Sequence, residues 1–343
     1  MKSAVYYGTE RISLEERDFP EPDEGEAVLK VRSVGVCPTD VKAYFFGSSS
    51  IRAPLVLGHE VSGTIVSSCS ERLSEGENVN VAADAPCLKC PICLKGMHNM
   101  CPNMISLGVH VDGGYSQYMR IPRDFVNKGL VYRLDRGTSF AAGSLMEPVA
   151  VSLHCLNLVK CRTDDDAVVI GDGPNGLIHL QILKRVIGIK SVTVIGLSAE
   201  RLAFASTLGA DRTVNMAIDK TSFERLQGEG ADIIDVTIGN DEAMAEAAAI
   251  ARKGSRLLIF GGSVRDSQIP FTMNDVHYRQ LVITGSSGTD IPDYEAAVNL
   301  VNSRVVDTES LVTERFSLSE IVRALNYSRE LKGLKCIVEP NPE

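Results

Sequence analysis

Positive charge is scarce in this chain, where 35 lysines and arginines stand against 44 aspartates and glutamates for a formal charge of −9. No segment gathers the basic residues into a patch, so a polyphosphate backbone would meet repulsion, and nucleic acid is excluded as a partner. Long apolar runs are missing as well: no window approaches the roughly 20 residues of a membrane helix. The opening MKSAVYYGTERISLEERD lacks the apolar core of a signal peptide, so the expected location is the cytosol. There are no internal repeats or low-complexity segments. With 44% hydrophobic and 23% charged residues, a fibrous or largely disordered chain is excluded.

What is present points to two cores, since 343 residues exceed the size at which one hydrophobic core keeps growing. The first 145 or so residues read as short β segments broken by Gly, Pro and Ser, among them AVLKVRSVGV (27–36), VSGTIVS (61–67) and YSQYMRIP (115–122). From about residue 149 the pattern alternates apolar runs (VVIG, VTVIG, IIDVTIG, RLLIFGG, LVITGSS) with helical stretches such as 200–209 and 242–254, each closing on a glycine. That alternation predicts an α/β unit on a parallel sheet. The last 50 residues predict two helices and a strand, KCIVEP, returning to the first domain. Asp164, Asp165 and Asp166 read as a solvated turn.

Nine cysteines in a large chain without export features favour metal ligation over disulfides. Cys87, Cys90, Cys93 and Cys101 have the spacing C-x2-C-x2-C-x7-C, a loop able to wrap four thiolates around Zn2+. Four thiolates leave no position for substrate, so this site reads as structural. A second set, Cys37 in GVCPTD, His59 and Glu60 in GHE, and Glu147 in MEP, offers mixed sulfur, nitrogen and oxygen ligands from separate segments. Any one of these alone is ordinary packing; together they have the makeup of a catalytic zinc site with a position left open.

The motif GDGPNG (171–176) follows the run AVVI and precedes a helical pattern, the strand-turn-helix context of a dinucleotide fingerprint. Gly171 suits the tight turn, Gly173 admits the pyrophosphate, Gly176 allows close packing, and Pro174 and Asn175 open the helix whose N-terminus favours an anion. About 20 residues on, where an acid would receive the adenosine ribose, stands Gly196. Ser198 and Arg201 follow it, a hydroxyl and a guanidinium able to hold a 2′-phosphate, and the expectation leans to NADP over NAD.

These motifs, with PLVLGHEVSGTI (54–65), GVHVDGGYSQYMRIP (108–122), MEPVAVSLH (146–154) and GLKCIVEP at the tail, resemble the zinc-dependent medium-chain dehydrogenase/reductase family. The likeness is to its alcohol dehydrogenase group, in particular the sorbitol, L-threonine and glucose dehydrogenase branch. It implies a GroES-like, mainly β catalytic domain over 1–148 and 286–343, with its zinc loop at 87–101, and a doubly wound Rossmann domain over 149–285. It implies two zinc ions per chain, NADP or NAD, and a homo-oligomer, tetramer or dimer. Cys37, His59 and Glu147 then ligate the catalytic zinc, while Glu60 is a direct ligand in some relatives and an outer group in others. Asp40 orients the zinc histidine, Thr39 takes the substrate proton, Lys42 stands where some relatives carry a relay histidine, and Lys335 matches a basic contact to the cofactor phosphate. The implied reaction is oxidation of a secondary alcohol, a polyol or sugar hydroxyl, with hydride passing to the nicotinamide. Alternatives are an L-threonine 3-dehydrogenase-like oxidation, a zinc-free quinone or enone reductase, and, from another class, a zinc-ribbon binding module joined to a nucleotide-sensing domain.

Overall fold

Runs of Val and Ile become strands where β-branched side chains can pack on a pleated surface covered on both faces. The computed structural model describes residues 1–263 and 267–341 and divides the chain into two units, Met1–Glu147 with Asp290–Glu343, and Pro148–Thr289. In the second unit, among the described residues, six parallel strands form one sheet: Asp166–Ile170, Ser191–Gly196, Arg212–Asn215, Ala231–Val236, Ala251–Ile259 and Val282–Gly285. Counted in chain order they lie 3-2-1-4-5-6, the doubly wound arrangement expected from the sequence. Val168, Ile170, Ile195, Ile234, Val236 and Leu257 are buried in its core.

Two local expectations need correction. The helix expected over 242–254 spans Asp241–Ile250, and ARKG already belongs to the next strand, whose register against Ala231–Val236 shifts there. The acidic run is also less solvated than its composition suggests. Asp165 is buried, with its carboxylate 2.5 Å from the Arg256 guanidinium and accepting the Arg162 N–H.

The first unit is mainly β. Its central strand, Ala27–Gly35, pairs antiparallel with Glu60–Ser68 on one edge and with Lys335–Glu339 on the other, so the expected tail strand does return to this domain. Val312–Ser317 runs parallel beside that tail strand. These pairings place the chemistry: Cys37 sits just beyond the end of the central strand, Glu60 starts its neighbour opposite Gly35, and Lys335 starts the returning strand.

Candidate active site

Pro38 opens the helix Pro38–Phe46, where a residue without an N–H is tolerated, and Asp40 lies in its first turn. The Asp40 carboxylate is almost fully buried and fully engaged. Oδ2 accepts the Cys37 N–H at 3.2 Å and the Tyr115 hydroxyl at 2.9 Å, while Oδ1 accepts the Gly58 N–H at 3.3 Å and lies 3.6 Å from Nδ1 of His59. Holding Nδ1 fixes the ring and leaves Nε2 for a ligand. Tyr115 is thus a buried support that the sequence reading missed; only its place in GVHVDGGYSQYMRIP hinted at it.

The ligand atoms of Cys37, His59 and Glu60 lie within 4.8 Å of one another. Glu147, second in the helix Met146–Asn157, is outside that group yet near enough for its charge to act on His59. Burial works against a charged His59, but the Cys37 thiolate, Asp40 and Glu147 outweigh it and hold its pKa well above the usual value. Desolvation pushes the Glu147 carboxyl up to about 7, with Glu60 adding to the rise and His59 opposing it.

Lys335 is not where the resemblance implied. It is buried, with Nζ 2.7 Å from Glu60 Oε1, an engagement that holds it beside the Cys37, His59 and Glu60 group. The returning strand carries it there. Cys37, Asp40, His59 and Glu147 belong to the same neighbourhood, and Glu60 Oε2 is buried without a partner among the described residues. A cysteine sulfur, an imidazole and an unpartnered carboxylate oxygen brought together are the donor chemistry that fits Zn2+.

Thr39, in the first turn of the same helix, is exposed and free to meet a small molecule, and Lys42, one turn on, is half-buried. Leu107, an apolar residue of the kind that lines pockets, is fully buried core.

The four-cysteine loop also fits a metal. Its sulfurs lie within 4.8 Å of one another, and Cys87 and Cys93 are 4.0 Å apart, close to the roughly 3.8 Å separation that tetrahedral Zn–S bonds impose. Backbone N–H groups already point at the sulfurs, from Cys87 to Cys101 and from Cys93 to Cys90. The backbone N–H of Lys89 leads in lowering the Cys87 thiol to about 6, whereas burial pushes Cys93 up to about 12. Without a cation the four thiols cannot ionise together; a bound metal makes that possible.

In the second unit, GDGPNG forms a cradle. A Cβ on Gly176 would lie 2.0 Å from the Gly171 carbonyl oxygen, so helix and strand approach too closely for a side chain. At Gly173, the N-cap of Pro174–Gln181, a Cβ would meet nothing within 4 Å, which leaves open room at a helix N-terminus. Asn175 occupies the first turn of that helix. At the tip of the second strand, Ser198 accepts the Arg201 N–H and caps the helix Ala199–Leu208, and the Arg201 guanidinium is 3.7 Å from Asp172. Asp172 was not singled out from the sequence, although it stands inside the glycine motif.

Residues 23–131 match the family model of the alcohol dehydrogenase GroES-like domain, and residues 174–303 match that of the zinc-binding dehydrogenase. The chain is 29% identical to sorbitol dehydrogenase of Bacillus subtilis (strain 168) over 99% of its own length and 98% of that protein. Among solved structures it is similar to galactitol-1-phosphate dehydrogenase from Escherichia coli, at 28% identity and a TM-score of 0.87, covering 99% of this chain and 100% of that one. A short chain alcohol dehydrogenase from Escherichia coli CFT073, complexed with NADH, is similar at 25% identity and a TM-score of 0.88, with 99% of each chain covered.

Proposed function

The chain belongs to the zinc-dependent medium-chain dehydrogenase/reductase family, sorbitol dehydrogenase-like branch, and from that premise we propose that it interconverts a secondary hydroxyl of a polyol or sugar with its ketone. The observation that carries this reading is the mixed set of Cys37, His59 and Glu60, whose sulfur, nitrogen and orphaned carboxylate oxygen suit a catalytic cation. A zinc-ribbon binding module would leave this second set and the glycine cradle without a use.

Cys37, His59 and Glu147 would hold the catalytic zinc, with Glu60 kept beside it by Lys335, and Cys87, Cys90, Cys93 and Cys101 would hold the structural one. Bound zinc supplies Lewis acidity to a hydroxyl oxygen, and bound NAD(P) accepts the hydride. Asp40 keeps the His59 ring in place through Nδ1. Thr39 takes the substrate proton at its hydroxyl and releases it outward, with Lys42 the next group along its helix. The cradle at Gly171, Gly173, Pro174, Asn175 and Gly176 receives the pyrophosphate.

Elemental analysis of the purified, unsupplemented protein is expected to give two zinc ions per chain, and a panel of polyols, aldoses and L-threonine to give turnover with a polyol or sugar. One zinc, or turnover with L-threonine alone, would revise the reading accordingly. Thr39→Ala is expected to lower kcat by roughly 10²- to 10⁴-fold, the range of general acid-base assistance, with zinc content unchanged. Near-normal turnover would assign the proton to Lys42 or to water.

We also infer a homo-oligomer. The edge strand Val282–Gly285 exposes Val282, and the helix before it exposes Met273 and Tyr278, apolar surface beside unpaired strand edges of the kind a second copy covers. No described helix is long and apolar enough to cross a membrane. Five cysteines placed at zinc ask for thiols that stay reduced, which supports a cytoplasmic location.

A further inference from the structure

We propose that Asp172 selects the cofactor and that it selects NAD over NADP, an inference that rests on the dinucleotide reading above. Asp172 follows the first strand of the sheet, in the turn of the glycine motif, and is only 7% exposed. Its carboxylate reaches across to the tip of the second strand, where Oδ2 accepts the N–H groups of Leu197 at 2.9 Å and Ser198 at 2.8 Å. Two charge-assisted bonds to backbone fix the anion, and Oδ1 faces the Arg201 guanidinium at 3.7 Å.

This arrangement explains why position 196 carries no acid. A Cβ on Gly196 would lie 2.3 Å from Asp172 Oδ2 and 2.5 Å from its Cβ and Cγ, so the space that a strand-tip carboxylate would fill is filled from the neighbouring loop. The acid is present, and its chain position has moved from the second strand to the first turn. Gly196→Asp alone would therefore clash with Asp172 before it could act on a ribose.

Four groups at the strand tip that could meet a 2′-phosphate are already engaged. Successive backbone N–H groups at a strand tip can form an anion-binding concavity, but those of Leu197 and Ser198 hold the Asp172 carboxylate. The Ser198 hydroxyl caps its own helix, and Arg201 faces the same carboxylate. A phosphate brought to this tip would meet a fixed anion, with the amides of Leu197 and Ser198 already holding it. A ribose diol brought there would donate to Asp172 Oδ1. The proposal thus runs against the lean toward NADP that the missing acid at Gly196 suggested.

The test is calorimetric titration of the zinc-loaded full chain with NAD+ and with NADP+. The wild type is expected to bind NAD+ about tenfold more tightly or better, because like charges brought together cost at least that factor. Asp172→Asn, nearly isosteric, is expected to erase most of that ratio, and Arg201→Ala, which leaves the carboxylate in place, to keep or widen it. The double variant Asp172→Gly with Gly196→Asp, which moves the acid back to the strand tip, is expected to restore NAD+ preference even if Asp172→Asn folds poorly. A wild-type preference for NADP+ that Arg201→Ala removes would overturn the inference and leave the dinucleotide reading intact. Binding of neither cofactor would overturn that reading, and the inference with it.

Discussion

Cys37→Ser is expected to lower kcat/KM by roughly 10³-fold or more, because Lewis-acid stabilisation of developing charge is worth several kcal/mol and each factor of ten costs about 1.4 kcal/mol. The hydroxyl of serine is a far poorer zinc ligand than a thiolate, and removing the thiolate also removes one of the charges that hold His59 above its usual pKa. Zinc content should fall from two ions to one. The fold should survive, since Cys37 caps a nine-residue helix whose Asp40 still accepts the residue 37 N–H. Elemental analysis, a circular dichroism melt and steady-state kinetics on the same preparation check all three parts. Undiminished zinc with full activity would remove Cys37 from the ligand set.

Cys93→Ser should give the opposite pattern. Structural zinc binding is worth about 10–16 kcal/mol in isolated zinc-finger peptides, and it is folding free energy, so a damaged site is felt as instability. If even about 3 kcal/mol of it is lost, Tm falls by roughly 6–12 °C for a unit of this size. Limited proteolysis should cut within 87–101, where the loop contains two short 3-10 turns, Cys93–Lys95 and His98–Met100, and little other regular structure. Turnover per folded molecule should stay within a few-fold of wild type. Exchange of the two phenotypes would exchange the two sites.

Local features were largely legible in the sequence. The parallel strands announce themselves because Val and Ile runs buried on two faces leave no other reading, and the spacing of Cys87 to Cys101 can be recognised within 15 residues of chain. What escaped depends on distant partners. The strand Arg212–Asn215 is short and polar, and pairs only because Ser191–Gly196 lies beside it. Lys335 was matched to a cofactor-phosphate contact, whereas the returning strand places it against Glu60. Asp172 stood within a quoted motif, yet its meaning lies in amides 25 and 26 residues away that no local pattern connects to it. Glu60 was left open between ligand and outer group, and its one engaged and one orphaned oxygen explain why either role was consistent with the sequence.

The ion pair between Lys335 and Glu60 joins residues 275 positions apart. A ribosome adding about 5–20 residues per second needs roughly 15–55 s to travel from one to the other. By the end of that interval the nascent chain carries Cys37, Asp40, Glu60 and Glu147 but not the ammonium that pairs with Glu60. The cluster around Glu60 is therefore completed last although most of its residues are made early. A chain stalled before residue 335 would leave Glu60 without its ion-pair partner, so the closing strand acts as a check on completeness.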